Sequence, residues 1–466
     1  MNEPIQRWLR GDGLTLAPAQ RVSHTYVIGQ PGMGKSFALE SWAMQDIRAG
    51  RGVGVIDVHG DLFRNLVSRL ALLAQTDPSL AERVVIIDPS DPTWTVGFNP
   101  LEPIPGVSRA RQAWFLTDAI VKIWQIDPSE SPRMLRLLSH TFLALSEHHL
   151  SLVDLPPFLC DSVWRGQLLQ RTRDPALASY FQHEFPRSES AIQQWTTPVL
   201  NKVGPLIFDP DVRLMLGARS TIHFRQILDH ERILLVNLSK GLLSEGNSAL
   251  LGAFLMAQLQ QAALSRADSG LRRPFYLYLD EFQNYTTDHI KDVLSESRKY
   301  SLSLVLAHQY LDQLPDDLRG AVLNTTGTLA CFRVGHADAS VLAKEIFPLD
   351  FLSNARADPR LRGWGRFLSP LIGEDGRSGT AEALAALLTN LKERQFWAKR
   401  RGPHRPVKQR TLEMPVPSPS HVLAQARQQL RATAGTRYGM LKTEARKQAK
   451  QRIHDQPQAT RHYEKA

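Results

Sequence analysis

The chain has 466 residues, 42% of them hydrophobic, which suffices for sizeable buried cores and about three domain-sized units. Its two cysteines, Cys160 and Cys331, lie far apart with no CxxC spacing and no histidine-rich neighbour, so neither a disulfide framework nor a zinc site is supported and a reducing cytosol fits. Net charge is +10, but from Lys399 onward sixteen Lys and Arg stand against four Asp and Glu, leaving residues 1 to 398 at net −2 and placing the basicity in the C-terminal part.

Residues 1 to 20, beginning "MNEPIQRWLRGDG", form a leader without an apolar signal segment. From 21 to 104, short β-branched runs alternate with helical stretches: "HTYVIG", "KSFALESWAMQDI", "GVGVIDV", "LFRNLVSRLALLA" and "RVVIIDP". This βαβαβ rhythm, with strands apolar throughout, predicts a parallel sheet covered by helices on both faces. Residues 105 to 225 show helical periodicity and no convincing strand, the pattern of an all-α insertion. Strand-like runs resume between 226 and 414 with "RILLVNL", "PFYLYLD", "LSLVLAH" and "TLACFRV", and "RQFWAKRRGPHRPVKQRTLEM" reads as a closing hairpin. The most apolar helical run, "SALLGAFLMAQLQQAAL", is interrupted by Gln258, Gln260 and Gln261, so no membrane span is expected. From 415 to 466, a Pro/Ser linker leads into one long basic amphipathic candidate helix.

The chemistry concentrates after the first strand. "GQPGMGKS" satisfies GxxxxGK[ST] between a strand and a helix, which predicts a phosphate-binding loop. Gly29, Gln30, Pro31, Gly32, Met33, Gly34, Lys35 and Ser36, with Phe37 following, form the expected ATP contact. Lys35 reaches the β/γ-phosphates and Ser36 ligates Mg²⁺. A Gly-rich turn with an exposed lysine is the bland alternative, and the flanking elements weigh against it. "FYLYLDEFQNY" ends an apolar strand in Asp280 and Glu281, where the first carboxylate suits the Mg²⁺ shell and the second the attacking water. "LSLVLAHQ" ends in His308 and Gln309, placing an amide where a γ-phosphate sensor is needed. Arg298 and Arg333 are candidates for an arginine finger, acting within one subunit or across a subunit boundary; a structural ion pair is the competing reading for each.

"GVGVIDVHGDLF" raises a metal question, because Asp57, His59 and Asp61 alternate like the opening ligands of a two-metal phosphoesterase. The Asn-His or Gly-Asn-His segment that such a site needs does not follow, and the sole "GN" lies in "EGNSAL" with no histidine beside it. Asp57 is instead expected at a strand end, supporting Mg²⁺, water or a neighbouring interface.

The ordered series "VIGQPGMGKS", "VIDVHGDL", "VGFNPL", "ILLVNLSKGLL", "YLDEFQNY", "SRKYSLSLVLAHQYLDQL" and "FRVGHADASVLAKEIFP" resembles the coupling-protein ATPases of conjugative type IV secretion, the VirD4/TraD-like group within the HerA, VirB4 and FtsK clade. The resemblance covers residues 20 to 414. It implies a RecA-like α/β ATPase core interrupted by an all-α domain that sits over one channel mouth and is associated with substrate or relaxosome recognition. It also implies a homo-hexameric ring around DNA that hydrolyses ATP with Mg²⁺ at its subunit interfaces, with a relaxase and secretion-channel proteins as partners. Lys35 and Ser36 take the phosphate and metal roles, Asp280 and Glu281 the Walker B and catalytic roles, and Gln309 the sensor role. Membrane-bound members usually begin with transmembrane helices, and this chain starts about twenty residues before its first core strand. The expectation is therefore a cytoplasmic protein, either brought to the inner membrane by a partner or working free as HerA-like helicases do. A docking module that binds ATP to recruit a relaxase, with little DNA movement, is the alternative; two adjacent carboxylates favour hydrolysis. The basic hairpin from Lys399 to Arg410 and the helix with Arg446, Lys447, Lys450 and Arg452 are candidate contacts for DNA, relaxase or anionic lipid.

Overall fold

The computed structural model describes residues 22–285, 289–347, 380–402, 405–411 and 419–454; the leader and most of the Pro/Ser linker lie outside the described residues. In chain order the strands are β1 (Thr25–Ile28), β2 (Gly52–Asp57), β3 (Val84–Ile87), β4 (Trp94–Thr95), β5 (Ile233–Asn237), β6 (Phe275–Leu279), β7 (Leu302–His308), β8 (Thr328–Cys331), β9 (Gln395–Arg400), β10 (Val407–Arg410) and β11 (Met440–Leu441). Nine of them form a mostly parallel sheet in the order β10-β9-β8-β1-β7-β6-β2-β5-β3, the expected α/β architecture. Residues 105–225 carry no strand and include the helices Arg109–Ile123, Pro132–Glu147 and Glu189–Phe208. No helix among the described residues is long and apolar enough to cross a membrane.

Contacts divide the chain into two compact units, the first comprising described residues of 1–55, 274–283 and 289–417, the second those of 56–273, 284–288 and 418–466. The dividing positions differ from those read in the sequence because contacts group the helical stretch with β3, β5 and the C-terminal helices.

In the first unit β1 lies between β7 and β8, parallel to both, with Ile28 opposite His308 and Cys331. β6 runs parallel to β7, Leu279 opposite Leu306. Every residue of β1, β6, β7 and β8 is buried, which is why these strands read as unbroken apolar runs. Parallel strands in this register release their next residues at one edge of the sheet, so the loops after β1, β6, β7 and β8 converge there. The predicted hairpin closes the unit, β9 antiparallel to both β8 and β10.

In the second unit the helix Glu245–Ser265 is buried on nearly all sides, and of its interrupting glutamines Gln258 is structural, donating its amide to the Pro100 carbonyl at 2.6 Å. The C-terminal segment departs from the single helix read in the sequence. It forms helices Ser420-capped His421–Tyr438 and Lys442–His454, separated at Gly439 by β11, which pairs antiparallel with β4. Close approach to β4 requires glycine at two positions here: a Cβ at Gly435 would stand 2.1 Å from the Trp94 ring, and one at Gly439 would stand 2.6 Å from the Thr95 carbonyl oxygen. The first of these helices is bound to the unit by its cations. Arg431 bonds Asp88 at 2.9 Å and also reaches Asp91, while Arg427 meets Ser68 and Arg437 meets Glu82.

Candidate functional site

The loop leaving β1 turns back on itself before the helix Lys35–Arg48. Gly32 and Gly34 adopt φ of +75° and +98°, which a β-carbon disfavours, and Gly34 stands at the N-cap of that helix. The opening of the loop is tied to the strand next door: the Gln30 N–H donates to the Arg333 carbonyl at 2.8 Å, and a Cβ at Gly29 would lie 2.5 Å from that of Phe332. Glycine is therefore required at 29 for close approach and at 34 for backbone conformation.

Lys35 is buried, and its ammonium donates to the Gly29 carbonyl at 2.6 Å and to the Gln30 carbonyl at 3.4 Å. Burial lowers its pKa, opposed by the Glu281 and Asp280 carboxylates. Ser36 is exposed and donates its hydroxyl to Asp280 Oδ2 at 3.4 Å. Asp280 and Glu281 follow β6 and are both buried; Glu281 sits at φ +49°, uncommon for a residue with a side chain. Its carboxylate is held by two amides, Gln309 Nε2 at 2.8 Å on Oε1 and Gln283 Nε2 at 2.8 Å on Oε2. Gln309 is itself fixed, its N–H donating to Gln313 Oε1 at 3.0 Å. Behind it, His308 is wholly buried and lowered to about 3, by burial and then by the Lys35 charge, so it is neutral, and its Nε2 is hydrogen-bonded to the Tyr26 hydroxyl.

The structure thus brings Lys35, Ser36, Asp280, Glu281 and Gln309 to one sheet edge, together with the backbone of Arg333. Gln283 was not singled out from the sequence, although its place two residues after Glu281 in "LDEFQNY" was the available signal. Arg298 is not brought there. It is exposed, in the turn before β7, and the strand separates it from Gln309 by roughly 20 Å at about 3.3 Å per residue. A role for Arg298 in its own subunit's site is ruled out by that separation. Asp57 differs from expectation as well. It is fully buried, and its oxygens accept the His59 and Phe63 N–H groups, each at 2.9 Å. The second bond satisfies an otherwise open donor in the first turn of the helix Asp61–Ala74, a capping role, and the first closes the turn before it. His59 and Asp61 are exposed, and Asp61 pairs with Arg64.

No protein-family model matches the chain, and no curated protein matches its sequence. Solved structures do. The unbound monoclinic form of the bacterial conjugative coupling protein TrwBdeltaN70 is 14% identical, with 89% of this chain and 94% of that one covered and a TM-score of 0.56. The plasmid coupling protein TrwB in complex with the non-hydrolysable ATP analogue ADPNP is 15% identical, covering 85% and 87%, at TM-score 0.52. The same protein with ADP and Mg²⁺ is 16% identical, covering 87% and 90%, at TM-score 0.52. Identities this low establish a common fold.

Proposed function

We propose that the chain is a P-loop ATPase that couples ATP hydrolysis to DNA translocation in conjugative transfer by type IV secretion, acting as a hexameric ring in the cytoplasm and at the inner membrane through a partner. One observation carries the reading: at a single sheet edge a P-loop lysine and serine face an Asp-Glu pair whose glutamate is hydrogen-bonded to the strand-end amide of Gln309. The shared fold with a coupling protein solved with ADPNP and with ADP and Mg²⁺ supports the same nucleotide and metal here.

The residues fit that ligand set. Ser36 and Asp280 offer hard oxygen donors 3.4 Å apart, the ligand chemistry that suits Mg²⁺. When bound, Mg²⁺ neutralises charge on the β- and γ-oxygens. Lys35 exchanges the Gly29 and Gln30 carbonyls for phosphate oxygens, and that exchange costs little because its ammonium stays fully hydrogen-bonded. Glu281 orients the attacking water and accepts its proton. Gln309 is bonded to Glu281 at the end of the strand beside β1, which supports a sensor that links the state of the γ-phosphate to the state of the base. Arg333 is tied by its carbonyl to the P-loop of its own chain, and its guanidinium stays a candidate finger within its own subunit or across a subunit boundary. A built hydrolytic set favours the motor over a docking module that recruits a relaxase.

The test is ATPase activity with and without single- and double-stranded DNA, for wild type and Glu281→Gln, with particle imaging for rings. DNA-stimulated turnover that the substitution reduces by about 100-fold or more, with ATP binding kept, is the expected result. If DNA alters neither rate nor assembly, DNA translocation is the wrong coupling.

A further inference from the structure

The hydrolytic groups occupy one side of the P-loop, and the other side carries a second polar cluster. Sheet order places β7 and β6, which deliver Gln309 and Asp280–Glu281, on one flank of β1, and β8, β9 and β10 on the other. Arg394, immediately before β9, and Thr411, immediately after β10, come from that second flank. The Arg394 N–H donates to the Met33 carbonyl at 2.9 Å, and the Thr411 N–H donates to the Arg394 carbonyl at 2.8 Å. Built at Gly34, a Cβ would stand 3.2 Å from Arg394 Cα and 3.5 Å from Thr411 Oγ1. The Arg394 guanidinium lies over the ring of Phe37, the residue after Ser36, with its carbon 4.9 Å from the centroid, and Glu393 is 3.8 Å from its Nε.

Two features point to a ligand on this flank. The Thr411 side chain is buried, at 8% exposure, yet its hydroxyl has no hydrogen-bond partner among the described residues. An unmet buried hydroxyl is costly unless something fills it. Arg394 adopts φ +66°, a strained conformation for a long side chain, and it holds the guanidinium plane against the start of the P-loop helix. A nucleoside triphosphate whose γ-phosphate lies toward Lys35 and Glu281 must carry its nucleoside toward the opposite flank, since the helix N-terminus receives the α- and β-phosphates between them.

We propose that Arg394 and Thr411 form the nucleoside subsite of this P-loop, with the guanidinium, backed by Phe37, stacking on the base and the Thr411 hydroxyl bonding the base or ribose. The subsite rests on the ATP reading above and deepens it. A guanidinium plane stacks on any base face, so the subsite accepts purine nucleotides with little discrimination.

The experiment compares binding of ATP, GTP and inorganic tripolyphosphate, each with Mg²⁺, to the full chain by calorimetry. Arg394→Asn removes the guanidinium while tolerating positive φ, and Thr411→Val removes only the hydroxyl. Arg394→Asn weakens ATP and GTP alike by about tenfold, and Thr411→Val weakens ATP by about threefold. Both leave tripolyphosphate affinity within about twofold, whereas Lys35→Ala weakens all three ligands. Equal losses for ATP and tripolyphosphate would reassign Arg394 to a phosphate or to bracing the loop, and unaltered ATP binding in both variants would remove the subsite. Wild-type protein that binds none of the three would sink the ATPase reading itself. Should Arg394→Asn melt early, Thr411→Val alone decides.

Discussion

At the residue scale, the site depends on conformations that few side chains tolerate. Gly34 combines φ +98° with Arg394 Cα 3.2 Å from its missing β-carbon. Gly34→Ala therefore costs about 1–2 kcal/mol in backbone strain alone and pushes the loop away from Arg394. The expected outcome is at least about tenfold weaker ATP binding, read by calorimetry beside a wild-type control. The two amides on Glu281 separate in a similar test. Gln283→Ala removes one amide from the carboxylate and leaves Gln309 in place, so it changes turnover less than Gln309→Ala does; equal losses would show that Gln309 acts only by holding the carboxylate. Two buried histidines set the response to acid. His308 is lowered to about 3 and His24 to about 4, chiefly by burial, from 6.5 in the unfolded chain. Because the folded values lie below the unfolded one, protonation favours unfolding: their stabilising contribution is complete above pH 6.5 and is lost as pH falls toward 4. Each histidine costs up to about 1.4 kcal/mol per pH unit in that window. Melting temperature measured from pH 7 to pH 4.5 should drop, and less steeply for His308→Gln; identical slopes would acquit His308.

At the element scale, the C-terminal helix His421–Tyr438 is part of the second unit's structure. It buries Leu423, Ala426 and Leu430 against the helix Asp61–Ala74 and β3. Burial by itself would raise the Asp91 pKa, but the Trp94 and Thr93 N–H groups and then the Arg431 guanidinium hold it below the usual carboxylate range. Arg431→Ala leaves Asp88 and Asp91 buried without their cation and should cost on the order of 2 kcal/mol. A lower midpoint in urea, with unaltered slope, checks it. Truncation before Ser420 exposes that apolar surface, so it destabilises the protein and cannot serve as a clean test of DNA binding. The second helix offers one, since Arg446, Lys447 and Lys450 are exposed. Reversing those three charges should weaken DNA binding without moving the melting temperature, and unaltered affinity across a salt series would leave the helix as a solvated face.

At the scale of the whole molecule, the charge distribution limits how the proposed motor would hold DNA. Residues 1 to 398 are net acidic, so phosphate contacts in such a ring would be local, made by a few cations per subunit. Affinity for DNA should then fall by at least about tenfold between about 50 and 200 mM salt, with little dependence on sequence. Titration of one duplex and its scrambled partner across that range measures both. A strong sequence preference that survives high salt would point to a recognition protein and away from a motor.

The linear order of residues was enough to identify the P-loop, the acidic strand end and the parallel α/β core. Those signals are local: a Gly-rich turn between strand and helix, and buried strands whose apolar character shows without alternation. Lys35, Ser36, Asp280, Glu281 and Gln309 were legible because each follows a strand at the edge where parallel sheets gather their loops. Folding alone decided what depends on partners distant in the chain. Asp57 read as a metal ligand, and its oxygens accept two backbone N–H groups, His59 in the turn and Phe63 in the next helix. The basic tail read as one long amphipathic helix because nothing near it in sequence reveals Trp94 against Gly435 or two aspartates awaiting Arg431. Arg394 and Thr411 stand more than 300 residues from Gly34, and only sheet order, which local pattern does not encode, sets them beside the P-loop.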